Sequence, residues 1–150
     1  MTAWAHLPNA ALIDEVLASV KADPEKWCAA RDATWNAARE ATRDEAWEAA
    51  WEAAWDAVRG AARSATWIAT RDATWGAARP AARPAVRPAA RPAAWSAVAV
   101  LIAYDDAGQF MKLPVEHLRR LYRIDPHPMF LLLQPAAIVF TEQGDPVCPG

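Results

Sequence analysis

The chain has little of what many enzymes and small secreted domains depend on. Its 150 residues include two cysteines, five glycines and three histidines. Cys28 and Cys148 form no disulfide framework and no metal set, so reduced thiols and a cytoplasmic setting are expected. The glycines are scattered, and neither a Gly-rich phosphate loop nor a Gly-x-Ser-x-Gly elbow occurs. HExxH and CxxC are absent as well. No apolar run reaches the ~18 residues that cross a bilayer. The opening stretch, MTAWAHLPNAALIDEV, has no basic region followed by an apolar one, so no secretory signal is expected. The net charge of -2 excludes a wholly basic nucleic-acid binder, although not a basic patch. The chain is 54% hydrophobic, but much of that is alanine, which buries little area.

What the chain has is a repeat. From Trp27 to Val98 every fourth residue is Trp or Arg, and eight of the nine tryptophans fall in this series. The consensus is [Trp/Arg]-x-Ala-[Ala/Thr/Val]. Its second position is acidic early (Asp32, Glu40, Asp44, Glu48, Glu52, Asp56) and proline late (Pro80, Pro84, Pro88, Pro92). Alanine, arginine and glutamate favour helix, and alanine is poor in strands. Residues four apart are neighbours on a helix, so the Trp and Arg side chains form a ladder. Cation–π contact is expected along Trp27–Arg31–Trp35. Asp56–Arg59 and Glu40–Arg43 are expected i,i+3 ion pairs.

A four-residue period does not match a helix turn. The ladder drifts about 40° per tetrad, so one straight helix would wear Trp on every face. The repeat is therefore expected to break into shorter helices. Gly60 and Gly76 are the candidate breaks, and a hairpin at Gly60 would let two Trp faces bury each other. In the late tetrads each interior Pro opposes a helix and biases the residue before it to extended geometry. Residues 79–92 are accordingly expected to be an extended, polyproline-like basic linker.

Outside the repeat, Asn9 to Ala22 shows helical periodicity in Leu12, Ile13, Val16, Leu17 and Val20. Asp23-Pro24-Glu25 has the form of an N-cap with Pro at the first helical position. Residues 93–140 are expected to form a compact helical unit, with Leu101, Leu118, Leu121, Leu131, Leu132 and Val139 in its core. A β-hairpin over residues 98–113 is the rival for part of it, and helix is preferred. The predicted fold is mainly α. It comprises an N-terminal helix (1–23), a tetrad-repeat helix or helical hairpin (24–78), the linker (79–92), the C-terminal unit (93–140) and a frayed tail (141–150).

The Ala-rich Trp/Arg tetrads, with Val-Leu-Ile-Ala-Tyr-Asp-Asp-Ala (residues 100–107) and Phe-Leu-Leu-Leu-Gln-Pro-Ala (residues 130–136), resemble uncharacterised small phage and prophage proteins of GC-rich bacteria. Those proteins carry similar repeats, an Asp-Asp-containing helix and a Leu-Leu-Leu-Pro-Ala-type end. The likeness covers roughly the last three-quarters of the chain. It implies a phage accessory protein in the cytoplasm of a bacterial host and no particular activity. The Arg-Pro-Ala-Ala run also resembles the Lys-Pro-Ala-Ala arms of linker-histone-like and other bacterial DNA-associated tails.

Candidate catalytic groups are few. Asp105 and Asp106 are adjacent carboxylates, best explained as a solvated helix end. His117 and His127, with Glu116 and Asp125, have no supporting metal motif. No enzyme, metal or cofactor is expected, and no small-molecule substrate is inferred. The repeat carries the functional signal, and its charge is split. Residues 27–58 hold 3 Arg and 7 acids, whereas residues 59–98 hold 7 Arg and 1 acid. Trp and Arg are favoured at interface hot spots. The expectation is a non-enzymatic interaction protein, binding a protein partner or itself through Trp35, Trp47, Trp51, Trp55, Trp67 and Trp75. The alternative is nucleic-acid binding by the basic half, through Arg59, Arg63, Arg71, Arg79, Arg83, Arg87 and Arg91. A membrane-surface role is opposed by the acids beside the ladder.

Overall fold

Asp23 separates the first two helices and serves both. Its backbone N–H donates to the Ser19 carbonyl, closing α1 (Ala10–Ala22). Its carboxylate accepts from Lys26 N at 3.1 Å, opening α2 (Pro24–Ala41). Pro24 sits where a missing N–H costs nothing, and Glu25 meets the positive end of the helix dipole. The computed structural model describes residues 4–41, 44–64 and 90–141. Among them the chain is mainly α: α3 (Asp44–Ser64), α4 (Ala90–Ala103), a 3-10 turn (Ala107–Phe110), α5 (Val115–Ile124), α6 (Pro128–Leu132) and α7 (Gln134–Thr141) follow, with no strand.

Two expectations are corrected. α3 runs straight through Gly60, so no hairpin forms there. A Cβ at Gly60 would meet nothing within 4 Å, so the residue faces open space. Glycine costs an exposed helix interior only about 1 kcal/mol, which the surrounding alanines offset. The division falls instead between Ala41 and Asp44. Gly76 lies outside the described residues. The second correction concerns the linker: α4 already begins at Ala90, so residues 90–92 are helical rather than extended. Pro92 is tolerated because the first turn of a helix needs no N–H from it. Residues 79–89 lie outside the described residues.

The early break follows from the drift of the ladder. Take the direction of Trp27 as zero on α2. Ala30 and Thr34 then lie about 60° and 20° to one side and Ala38 about 20° to the other, while Arg31, Trp35 and Arg39 lie about 40°, 80° and 120° to that other side. Burial follows that order: Trp27, Ala30, Thr34 and Ala38 are buried, Arg31 and Trp35 half-buried, Arg39 exposed. α3 restarts the same sequence of states. Trp47 is buried, Trp51 and Trp55 are half-buried, and Arg59 is exposed, while Ala54 and Val58 continue the inner stripe. In α2 three tetrad steps carry the ladder from core to solvent, and α3 begins with a tryptophan inside again; α3 itself runs on past the exposed Arg59 to Ser64.

Both repeat helices pack on α4, which α1, α6 and α7 also contact. α4 is apolar nearly all round, as expected of a helix enclosed on every side. Every residue from Ala93 to Ile102 except Trp95 is buried. Its buried polar atoms are satisfied. Ser96 Oγ bonds the Ala93 carbonyl at 2.8 Å and the Leu132 carbonyl at 3.0 Å, tying α4 to α6. At the other end, Asn9 Nδ2 donates to the carbonyls of Leu101 (3.1 Å) and Tyr104 (3.0 Å). The Leu101 carbonyl is in the last turn of α4, where the helix supplies no partner of its own, and the Tyr104 carbonyl just beyond it also accepts from Ala107 N at 3.1 Å. Gly108 permits this arrangement, because a Cβ there would overlap Asn9 Oδ1 and lie 2.7 Å from Leu12 Cδ1. Helix, not hairpin, therefore occupies residues 98–103. Of the expected C-terminal core, Leu101, Leu118, Leu131, Leu132 and Val139 are buried and Leu121 is half-buried.

Candidate interaction surface

The early ladder residues meet across the α2–α3 pair. Trp35 of α2 packs edge-on against Trp47 at 5.8 Å and tilted against Trp51 at 5.9 Å. Trp47 and Trp51, one turn apart, are 5.7 Å from each other. This three-ring cluster has the offset geometry that aromatic quadrupoles favour. Trp55 stacks on Trp95 of α4 at 6.4 Å, bringing the last tryptophan of α3 into the same wall. Arginines cover two of the rings: Arg31 lies 5.7 Å from Trp35, and Arg59 lies 5.6 Å from Trp55. Arg59 also makes the expected i,i+3 pair with Asp56, at 3.2 Å. The Glu40–Arg43 pair lies outside the described residues.

The inner rings play a different part. Trp27 takes no place in a Trp27–Arg31–Trp35 stack. It is turned into the core, edge-on to Phe140 at 5.9 Å, with Nε1 donating to Ser19 Oγ at 3.1 Å. Trp47 is 8% exposed, and its Nε1 has no acceptor among the described residues. The strip Trp47–Trp51–Trp55 is thus not one uniform surface. Trp47 is core, whereas Trp51 and Trp55, with Trp35, each leave an edge to solvent beside the exposed Glu48, Glu52 and Asp56. Trp67 and Trp75 lie outside the described residues, as do Arg71, Arg79, Arg83 and Arg87. Arg63 and Arg91 lie within α3 and α4, their side chains outside the described set. Of the basic half, only Arg59 can be placed in full.

Known protein families, characterised proteins and solved structures offer no match to this chain. The site must therefore be judged on its own geometry.

The other candidates have structural surroundings. Asp105 and Asp106 are exposed at the end of α4, and Asp106 precedes the 3-10 turn without a side-chain cap bond. His117 is exposed, and Glu116 pairs with Arg119. His127 caps α6, its Nδ1 accepting from Met129 N at 3.2 Å, and its ring meets Tyr104 edge-on at 4.7 Å. Burial raises the Tyr104 phenol above its ordinary pKa of 10.0. No group of three His, Cys, Asp or Glu side chains that could hold a metal ion is found among the described residues. Cys28 is half-buried. No helix of the described residues is long and apolar enough to cross a membrane.

Sequence reasoning missed one feature. A pocket of about 220 Å³ lies between the α2–α3 pair and α5. Alanines of the repeat, Trp47, Arg119, Tyr122, Arg123 and Gln134 line it. The available signal was the spacing of Arg119 and Arg123, which puts two cations one turn apart on an amphipathic helix. That the helix faces alanine and tryptophan columns from 70 residues earlier is a tertiary fact.

Proposed function

We propose that this chain is a non-enzymatic interaction protein, a phage or prophage accessory protein that binds a protein partner. Its contact surface is the outer edge of α2 and α3: Trp35, Trp51 and Trp55 with Arg31 and Arg59. The observation that carries the reading is the half-exposure of these three rings while each is held against a neighbour. A ring already fixed loses little side-chain entropy when a partner covers it. Trp and Arg are also the residue types that concentrate binding energy at interface centres. The exposed Glu48, Glu52 and Asp56 beside the rings call for a partner with basic side chains on its rim.

The structure-compatible test leaves Trp47 in place, because its loss would damage the core. Wild type, Trp51→Ala/Trp55→Ala and Glu52→Lys/Asp56→Lys would each be used for capture from a bacterial lysate, with nuclease present, alongside sedimentation of the purified chain. The expected result is a nuclease-resistant protein that both variants lose while their helical content persists. Retention of that protein, and of the oligomeric state, by both folded variants would refute the reading. The excess of Arg in residues 59–98 supports the second reading, nucleic-acid binding. That reading requires affinity that falls steeply with salt, with a log–log slope near -0.9 per phosphate neutralised.

A further inference from the structure

The pocket beside α5 has a lining divided by chemistry. α2 and α3 supply Ala37, Ala38, Ala46, Ala50 and the Trp47 indole; α5 supplies Arg119, Tyr122 and Arg123. The space exists because the repeat puts alanine, rather than a larger residue, opposite α5. Its volume of about 220 Å³ exceeds the ~150 Å³ of an engineered cavity that takes up benzene.

The charged side chains that line it are Arg119 and Arg123. Arg119 is held in place: Nε donates to Gln134 Oε1 at 3.4 Å and the guanidinium pairs with Glu116. Arg123 follows one turn later, exposed, and makes no ion pair among the described residues. A guanidinium pair beside an apolar wall matches a carboxylate carried on a hydrophobic body.

We propose that this pocket binds a small monocarboxylic acid with an apolar body about the size of a phenyl ring. The ring lies against Trp47 and the alanines, and the carboxylate is held by Arg123 with support from Arg119. The inference does not depend on the partner surface above, which uses neither arginine. The opposite charge keeps the ligand's acid group at the arginines and leaves the apolar body as the part that fits the pocket.

Calorimetric titration of the full chain with 3-phenylpropionate, and with its neutral amide as the matched control, tests this directly. The acid is expected to bind about tenfold or more tightly than the amide, the gain of a charge-assisted over a neutral hydrogen bond. Arg123→Gln should bring the acid down to the level of the amide. Ala50→Leu, which fills the pocket, should abolish binding of both, with thermal unfolding confirming that each variant is folded. Three results would overturn the proposal: acid and amide binding equally well, acid binding untouched by Arg123→Gln, or no binding of the acid to wild type at millimolar concentration. Should Ala50→Leu fail to fold, the exposed Arg123→Gln variant decides alone.

Discussion

Gly108→Ala should be among the most damaging conservative substitutions in the chain. A Cβ at that position overlaps Asn9 Oδ1 and comes within 2.7 Å of Leu12 Cδ1. The leucine methyl ends a flexible side chain and can turn away. The Asn9 amide cannot move without releasing the buried Leu101 carbonyl, which it bonds at 3.1 Å, and its 3.0 Å bond to the Tyr104 carbonyl, which Ala107 N also serves. Leaving a buried group unpaired costs about 1–3 kcal/mol, and overpacking costs a similar amount. A loss of about 3 kcal/mol is expected, a fall in Tm of roughly 6–12 °C for a chain of this size. Urea and thermal unfolding followed by far-UV circular dichroism would measure it. The decisive comparison is a double-mutant cycle with Asn9→Ala. With the amide gone, Gly108→Ala should cost much less, giving a coupling of about 1–2 kcal/mol. A Gly108→Ala variant within about 0.5 kcal/mol of wild type, or a cycle without coupling, would refute the argument that Asn9 closes α4 through this gap.

Other predictions follow from the same structure. Gly60→Ala should stabilise the protein by about 0.5–1 kcal/mol, because α3 runs through that position and a Cβ meets nothing; destabilisation would mean that the chain turns there after all. Trp27→Ala should cost about 3–5 kcal/mol in urea unfolding, because the ring is fully buried. Arg39→Ala, three rungs along the same ladder, should cost about 0.5 kcal/mol or less, and equal effects would contradict the drift. Burial raises the pKa of Tyr104 in the folded chain. The unfolded chain therefore loses its proton first, and stability should fall as pH rises above about 10, the ordinary tyrosine value. Tyr104→Phe should reduce that alkaline loss, as measured by Tm against pH.

How much of this was legible beforehand depended on the range of the interactions. The start of α2 at Asp23–Pro24 was readable because capping is local: one carboxylate, one proline and one nearby N–H decide it. Most of the C-terminal core was readable because apolar residues at helical spacing have few other places to go. The division after Ala41 was not found by looking for glycine, because neither glycine nor proline stands between Arg39 and Trp47. In α2 it follows the exposed Arg39, where the drifting ladder has reached solvent, a property of phase summed over three tetrads. Trp47 and Trp51 share ladder, spacing and the neighbour Trp35, yet only Trp47 is buried. The difference of about 40° between them acquires meaning only once α4 and α5 are in place. The Asn9 bonds and the pocket at Arg123 join segments far apart in sequence, so no local pattern announces them.

Oxidative footprinting of the free protein, with hydroxyl radicals and mass spectrometry resolving each tryptophan, tests the central claim most directly. The drifting ladder predicts strong protection of Trp27 and Trp47. Trp35, Trp51 and Trp55 should show clear but partial reactivity at their outer edges. Trp27 and Trp47 reacting as readily as Trp51 and Trp55 would contradict the claim that each repeat helix starts inside the core and turns its ladder outward.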